Sequence, residues 1–229
     1  MREIVLDTET TGLEPSQGHR IIEIGCLELH NRTQTGARYQ TYINPQRDVP
    51  EEAQRISNLS TAFLQDKPLF ADVVDAFLEF IGDSPLVIHN AEFDLKFLNS
   101  ELSKVKKPLL VSARAVDTVV MARKKFPGSP ASLDALCRRF NINLEDRKSK
   151  GHGAMLDVEL LAQVYLELLG GRQPGLELVA QGSSSDGVAM ARVPLPARAK
   201  PLASRLTDEE QALHDALVKG LGPSALWPH

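Results

Sequence analysis

Length, composition and charge describe an ordinary globular chain and already exclude some functions. The chain has 229 residues, of which 42% are hydrophobic and 24% are charged, and its formal net charge is −4. These totals suit one large domain, or one domain with an appendage. A net acidic chain does not grip nucleic acid by bulk electrostatics, so any such role needs a local site, metal ions or a partner. No apolar run approaches the roughly 20 residues of a membrane span, so we expect no membrane association.

The two cysteines, Cys26 and Cys137, lie in unrelated sequence contexts. This argues against both a disulfide scaffold and a zinc site, and it fits a reducing cytosol. We interpret both side chains as small buried hydrophobes. The amino terminus reads as a strand with an acidic end, so no secretory signal is predicted and we expect a cytoplasmic protein.

The first 170 residues alternate between strand-like and helix-like patterns. Three strands with short connections are predicted first, and we expect them to be antiparallel. Helices and strands then alternate, which predicts an α/β fold with a mixed sheet flanked by helices. The predicted strands cover residues 3–9, 20–29, 37–44, 85–90 and 113–118. The predicted helices cover 69–82, 92–105, 132–140 and 153–169.

The chain changes character at Gly170 and Gly171, and we place the end of the first domain at residue 170. Six of the 14 prolines lie beyond this point, with "GSSSDG" and "RVPLPARAKPLAS". This composition predicts a flexible linker over 171–204 within a largely disordered tail. Residues 205–229 are different because "TDEEQALHDALVKG" predicts one short helix, with a capping box from Thr207 to Glu210.

Acidic residues stand at the edges of several predicted elements. In "IVLDTETTGL", Asp7 and Glu9 are two positions apart on a strand, so both side chains point to the same face. Asp94 in "VIHNAEFD" and Asp157 in "GHGAMLD" fall near helix starts, and His152 comes just before the second helix. Strand ends and helix starts are where α/β sheets present functional groups.

Together, "DTETTG", "HNAEFD" and "HGAMLD" resemble the three ordered motifs of the DEDD exonucleases of the histidine subtype, which are relatives of the ribonuclease H fold. The resemblance covers residues 1 to about 170 and implies a mixed five-stranded sheet. Within this group the sequence is most similar to the family of proofreading (epsilon) subunits of bacterial DNA polymerase III. "PGSPASLDALCRRFNI" and the "LW" near the end strengthen that similarity. The resemblance implies a bacterial protein that works with the replisome.

The resemblance also implies a chemistry and a role for each motif residue. Phosphodiester cleavage is served by two divalent ions, and Mg²⁺ and Mn²⁺ prefer oxygen ligands. By resemblance, Asp7 bridges both ions, Glu9 and Asp157 help to hold the ion that carries the attacking water, and Asp94 serves the other ion. His152 is implied as the general base, a role that neutral imidazole suits near pH 7.

Several further residues have two interpretations. Thr10, Thr11, Gly12 and Leu13 form a turn after the acid pair; the turn either cradles the terminal nucleotide of a frayed or single-stranded DNA 3′ end or is a plain turn. Basic clusters at 123–125 and 147–150 either touch phosphates or are simply solvated. Asp117 either supports the metal-binding side chains from behind or caps a helix, and we favour the structural interpretation.

The tail suggests protein partners. "QPGLEL" at 173–178 matches the loose pattern of a sliding-clamp motif, through Gln173, Leu176 and Leu178, although a plain linker stays open. The last segment is predicted to attach the chain to the catalytic (alpha) subunit of polymerase III, with Leu213, Leu217 and Trp227 as contacts. Whether a small accessory subunit also binds is left open.

The leading hypothesis is therefore a 3′–5′ exonuclease that hydrolyses DNA from the 3′ end by a two-metal mechanism and proofreads for the replicative polymerase. A free-standing RNA-trimming exonuclease of the same superfamily is the alternative within chemistry, but it would not need a 59-residue tail. A catalytically silent replication scaffold is the third reading. The intact acids and His152 argue against it.

Overall fold

The computed structural model describes residues 1–145, 153–171 and 207–221. The chain divides into two compact units, Met1–Leu178 and Val179–His229. The sequence-predicted general base His152, the clamp-motif residues 173–178 and Trp227 lie outside the described residues, as does the predicted linker apart from Gly171. Within the described ranges, no helix is long and apolar enough to cross a membrane.

A five-stranded mixed sheet forms the centre of the first unit, with strand order β3-β2-β1-β4-β5. The first three strands are antiparallel, as predicted, and β1–β4 and β4–β5 are parallel. The strands span Arg2–Thr10 (β1), Ile21–His30 (β2), Thr33–Tyr42 (β3), Leu86–Ile88 (β4) and Ala115–Asp117 (β5). This confirms the predicted fold class, a ribonuclease H-like mixed sheet flanked by helices.

Seven helices of the first unit surround the sheet within the described ranges. Their bounds are Glu51–Ser57 (α1), Thr61–Leu64 (α2), Phe70–Ile81 (α3), Ala91–Lys104 (α4), Thr118–Lys125 (α5), Leu133–Arg139 (α6) and Ala154–Leu168 (α7), and two 3₁₀ turns lie at Pro15–Gln17 and Ser112–Arg114. The predicted cap Ser132 accepts a hydrogen bond from the Ala135 backbone N–H. Helices α1, α2 and α5 were not predicted as separate helices, because all three are short and α5 carries a weak apolar stripe.

The alternation of β1 divides the core into two layers. Ile4 and Leu6 join a buried cluster with α3 and α4 on one face of the sheet. Val5 joins a second cluster with α5, α6 and α7 on the other face. Asp7 and Glu9 continue the Val5 side of β1, because successive strand residues alternate between faces. Both cysteines are buried and free, as predicted.

The second unit is described only over residues 207–221, where helix α8 spans Asp208–Leu221. The predicted capping box is present, since the Glu210 backbone N–H donates to Thr207 Oγ1 at 3.2 Å and the Thr207 backbone N–H donates to Glu210 Oε2 at 2.9 Å. Leu213 and Leu217 are both about two-thirds exposed, at 68% and 65%. Leu221 extends the same face one turn further and is also exposed.

Candidate active site

Three carboxylates meet where β1 ends and α7 begins. Asp7, Glu9 and Asp157 each offer an oxygen, and these oxygens all lie within 4.8 Å of one another. Asp157 is in the first turn of α7, where its backbone N–H donates to Gly153 O at 2.9 Å. The strand period aligns the first two acids, and the docking of α7 on the same face of the sheet supplies the third.

Asp94 reaches this end of the sheet from the other face. It lies in the first turn of α4 and is only 3% exposed. Its Oδ1 accepts hydrogen bonds from Thr8 backbone N–H at 3.0 Å and from Thr8 Oγ1 at 2.7 Å. Burial raises the pKa of Asp94 to about 7, while the Thr8 hydrogen bonds act in the opposite direction. Asp94 is not part of the three-acid group, but it is tied to the strand residue between Asp7 and Glu9.

Asp117, beside this region, is structural as the sequence analysis favoured. Its Oδ1 caps α5 by accepting from the Val119 backbone N–H at 2.7 Å, and its Oδ2 accepts from the Ala91 N–H at 3.0 Å. It therefore joins the starts of α4 and α5.

Lys125, from one of the two basic clusters, donates to the carbonyls of Glu167 and Leu168, both at 2.9 Å. That side chain stabilises the carboxyl end of α7.

Another buried acid beside the group, Glu23, was not singled out by the sequence analysis. It lies on β2 directly opposite Glu9 and is 1% exposed. Glu23 Oε2 accepts from the Ala154 backbone N–H at 3.1 Å, and Oε1 accepts from Gln40 Nε2 at 2.8 Å. Burial raises the pKa of Glu23, opposed by these hydrogen bonds, and the charge of Asp157 raises it further. The available signal was a single acid inside the apolar strand "IIEIGCL".

The turn after β1 is built by its own contacts. Thr10 Oγ1 donates to Gly12 O at 2.7 Å, and Thr11 Oγ1 accepts from the Arg20 backbone N–H at 3.0 Å. A Cβ at Gly12 would lie 2.3 Å from the His19 ring, so any larger residue at this position would require that ring to move. Leu13 is 77% exposed. The threonines thus hold the turn together, and Leu13 is the turn residue with an exposed apolar side chain.

Comparison with known proteins identifies the family. The exonuclease family model matches residues 4–165. The DNA polymerase III subunit epsilon of Rickettsia felis is 48% identical, over 96% of this chain and 97% of that protein. The subunit of the same name from Escherichia coli is 41% identical, over 99% of this chain and 97% of that protein.

The chain belongs to the exonuclease family, in the branch of the DNA polymerase III epsilon subunits. It is accordingly a 3′–5′ exonuclease, as the motifs predicted. Two solved structures share its fold. Exonuclease X in complex with 5′ overhanging duplex DNA superposes with a TM-score of 0.58 at 24% identity, covering 73% of this chain and 90% of the other. The nuclease domain of 3′hExo bound to rAMP gives a TM-score of 0.63 at 16% identity, covering 73% and 91%.

The three-acid group of this exonuclease fits a divalent metal ion. Its donors are carboxylate oxygens, which are the ligands that hard cations such as Mg²⁺ and Mn²⁺ prefer. Like charges held this close repel one another, and a bound cation removes that repulsion. The donor set therefore has the chemistry expected of a metal site in this family.

Proposed function

We propose that this chain is the proofreading subunit of a bacterial DNA polymerase III, removing nucleotides from the 3′ end of DNA with two divalent cations. The observation that carries the proposal is the group formed by Asp7, Glu9 and Asp157. Its three carboxylates lie at one end of the sheet. The relatives that this chain matches over nearly their whole length are named epsilon subunits.

We assign metal binding to Asp7, Glu9, Asp94 and Asp157. Bound divalent cations neutralise charge on the phosphodiester and lower the pKa of an attacking water. The support for Asp94 is its double hydrogen bond to Thr8, which ties the carboxylate to the strand that carries the first two acids. The chain's own contribution is to hold four acids ready in a partly buried site, so that little reorganisation accompanies catalysis.

We assign proton transfer to His152. It precedes Gly153, the residue just before α7, and so it comes five positions before Asp157 in the sequence. A neutral imidazole there takes a proton from the attacking water. The water oxygen bonds to phosphorus as the bond from phosphorus to the penultimate nucleotide's 3′ oxygen breaks. That 3′ oxygen takes up a proton from solvent, and a deoxynucleoside monophosphate leaves.

We assign the end of the substrate to the turn at residues 10–13. The Thr10 and Thr11 hydroxyls are engaged in contacts that hold the turn, and the Thr11 backbone N–H already donates to the Arg20 carbonyl at 2.9 Å, so these residues shape the turn that would receive the nucleotide. The exposed side chain of Leu13 then supplies an apolar contact for the terminal base. Because the threonines hold the turn and Leu13 contacts the base, the turn keeps its geometry when the base changes. This suits an enzyme that removes any nucleotide.

We assign attachment to the polymerase to the last segment of the chain, through Leu213, Leu217 and Trp227. Leu213 and Leu217 are exposed on one face of α8, and exposed leucines at helical spacing are typical of a helix that packs on a partner. A helix of 14 residues is marginal alone in water, which favours ordering on another protein.

We assign sliding-clamp binding to Gln173, Leu176 and Leu178, which follow the catalytic unit's last helix in the sequence. A triple alanine variant at these positions should lose capture by immobilised clamp and keep nuclease activity on free DNA. Clamp capture equal to that of the wild type would leave this segment as plain linker.

One assay tests the central proposal. The full chain is incubated with Mg²⁺ or Mn²⁺ and with end-labelled strands of matched sequence: single-stranded DNA, duplex DNA paired or mispaired at the 3′ end, and single-stranded RNA. We expect stepwise shortening of DNA from the 3′ end, fastest on single strands and mispaired ends, and none in EDTA. A clear preference for RNA would instead identify an RNA-trimming enzyme, and inactivity on every strand would favour a silent scaffold.

A further inference from the structure

Helix α7 begins without a capping side chain of its own. Its first position is preceded by Gly153, which has extended backbone and no side chain to accept a hydrogen bond. The first backbone N–H groups of a helix have no partner within the helix, and they are normally satisfied by the side chain of the preceding residue. In this helix, Asp157 is in the first turn, so disorder at the start would move a carboxylate of the acid group.

Glu23, which lies on strand β2, supplies the missing cap. Its Oε2 accepts from the Ala154 N–H at 3.1 Å, although the two residues are 131 positions apart in the chain. The Gln40 side chain on β3 holds the other oxygen at 2.8 Å. Because Glu23 is 1% exposed and held at both oxygens, its carboxylate has little freedom to move.

The next residue on the same face of β2 brings the helix close. A Cβ at Gly25 would lie 2.7 Å from the carbonyl carbon of Ala154 and 2.9 Å from the backbone nitrogen of Met155. Only a glycine lets the first turn of α7 approach the strand this closely. Gly25 is paired with Asp7, and Glu23 with Glu9, so these two β2 residues lie beside the two acids of β1.

The placement of a buried carboxylate here needs a reason beyond stability. Glu23 lies directly opposite Glu9, and like charges across a strand pair are destabilising. Glu23 is not one of the three acids whose oxygens converge. Its contacts are instead the helix start and an amide, which are contacts that orient rather than bind a ligand.

We propose that Glu23 is a positioning residue for the metal site. It holds the first turn of α7, with Gly25 permitting the close approach, and so sets Asp157 against Asp7 and Glu9. This proposal rests on the proposed metal role of those three acids. It extends that role, because Glu23 would determine the position of the third proposed ligand, Asp157, without binding the ion itself.

The test compares Mn²⁺ binding with folding in five variants. Mn²⁺ affinity of the full chain is measured by calorimetry, and folding by circular dichroism and melting temperature in EDTA. Glu23→Ala should weaken Mn²⁺ binding by about 10- to 100-fold, the usual effect of removing a group that orients a metal ligand. Glu23→Gln keeps an oxygen for the Ala154 N–H and should recover most of that affinity.

Glu3→Ala is the matched control. Glu3 is another buried acid on a strand, and its Oε1 accepts from Tyr165 Oη at 2.6 Å, near the other end of the same helix. Its loss should lower the melting temperature and leave Mn²⁺ affinity within about twofold, because the acid group is at the opposite end of α7. A fall in affinity equal to that of Glu23→Ala would mean that general loosening, not positioning, explains the effect.

Gly25→Ala provides a test that leaves every charge in place. The added methyl group pushes against the backbone of the first turn, so a folded variant should also bind Mn²⁺ at least about tenfold more weakly. If Glu23→Gln binds as weakly as Glu23→Ala, the effect is one of charge and the positioning role is wrong. Unchanged affinity in Gly25→Ala would also overturn the role.

An Asp7→Ala, Glu9→Ala double variant separates this inference from the proposed function. It should lose the Mn²⁺ binding of the site altogether. If that variant binds Mn²⁺ as the wild type does, the metal site itself is wrong. If it loses binding while Glu23→Ala keeps it, only the positioning role fails.

Discussion

The acid group of the first unit holds three carboxylates close together, and α8 exposes leucine side chains. The surroundings of these two features differ. The residues around the acid group, Asp7, Glu9 and Asp157, are held in place by buried contacts. These contacts include the Thr8–Asp94 and Glu23–Ala154 hydrogen bonds. The α8 leucines lie on a helix that is well capped at its start but exposed at every position except Val218.

This difference teaches how the two functions are divided. A site whose neighbours are already in place can act without a partner, because preorganisation is part of its chemistry. A helix with exposed leucines gains stability only when another surface covers them. We therefore expect catalysis to depend on the first unit alone, and attachment on the tail.

The largest effect is expected from Asp7→Ala combined with Glu9→Ala. Hydrolysis of single-stranded DNA should fall to the background of the assay, because two proposed metal ligands are lost. Millimolar Mg²⁺ or Mn²⁺ should raise the melting temperature of the wild type but not of the variant, since a ligand that binds only the native state stabilises it. The metal-free variant should be at least as stable as the wild type because repelling charges are removed.

Glu51→Ala with Glu52→Ala is the control, since it removes two exposed acids from α1. It should keep both the activity and the metal response. Substantial activity in the Asp7, Glu9 variant would contradict the site assignment.

A smaller loss is expected from His152→Ala. The rate should fall by roughly 10²–10⁴, the range for losing a general base. Mn²⁺ affinity should stay close to that of the wild type, because His152 is not assigned as a ligand. Rates and calorimetry on the same protein check this, with the exposed His30→Ala as control. A large loss of metal affinity would make His152 a ligand instead.

The tail should affect binding and leave chemistry unchanged. Leu213→Gln with Leu217→Gln should weaken binding to the polymerase catalytic subunit by at least about 30-fold, the effect of losing one interface hot spot. Asp215→Ala with Lys219→Ala changes the opposite face of α8 without changing the net charge, and should bind normally. Surface plasmon resonance on the full chains measures both.

A chain truncated after Gly171 should be stable and fully active on free DNA, and it should no longer co-purify with the polymerase. A truncated chain that unfolds, or one that still binds polymerase, would break the proposed division between the two regions.

The smallest effect is expected from Leu13→Ala. KM for single-stranded DNA should rise by roughly tenfold, the worth of covering part of one leucine side chain. Stability should not change, because Leu13 is mostly exposed in the free protein. Leu109→Ala removes a similarly exposed leucine after the carboxyl end of α4 and should leave KM unchanged. Equal KM values for the two variants would make residues 10–13 a plain turn.

Local patterns predicted much of this molecule. Alternation along β1 placed Asp7 and Glu9 on one face, and the spacing of Thr207 and Glu210 predicted the cap of α8. The positions of Asp94 and Asp157 in first helical turns were also readable, because short motifs precede both helices. Each of these features depends on residues within a few positions of one another.

Other features could not be predicted from any local sequence pattern. The sequence marks Glu23 only as an acid in an apolar strand, and Gly25 only as a glycine there. Their roles depend on a helix that begins at Ala154, and nothing within β2 specifies where that helix packs. Likewise, the attachment of Asp94 to Thr8 joins residues 86 positions apart.

The sequence by itself determined which groups this protein has for chemistry, namely the acids at the end of β1 and the acids at two helix starts. It also determined that the tail holds a short helix with an apolar stripe. It could do so because strand and helix periods are local and because the motifs are short. Only the tertiary structure decided which acids converge. Asp157 joins Asp7 and Glu9, Asp94 is bound to Thr8, and Glu23 caps the helix that carries Asp157. The physical reason is that convergence depends on how α4 and α7 pack on opposite faces of one sheet, which is a property of the whole core.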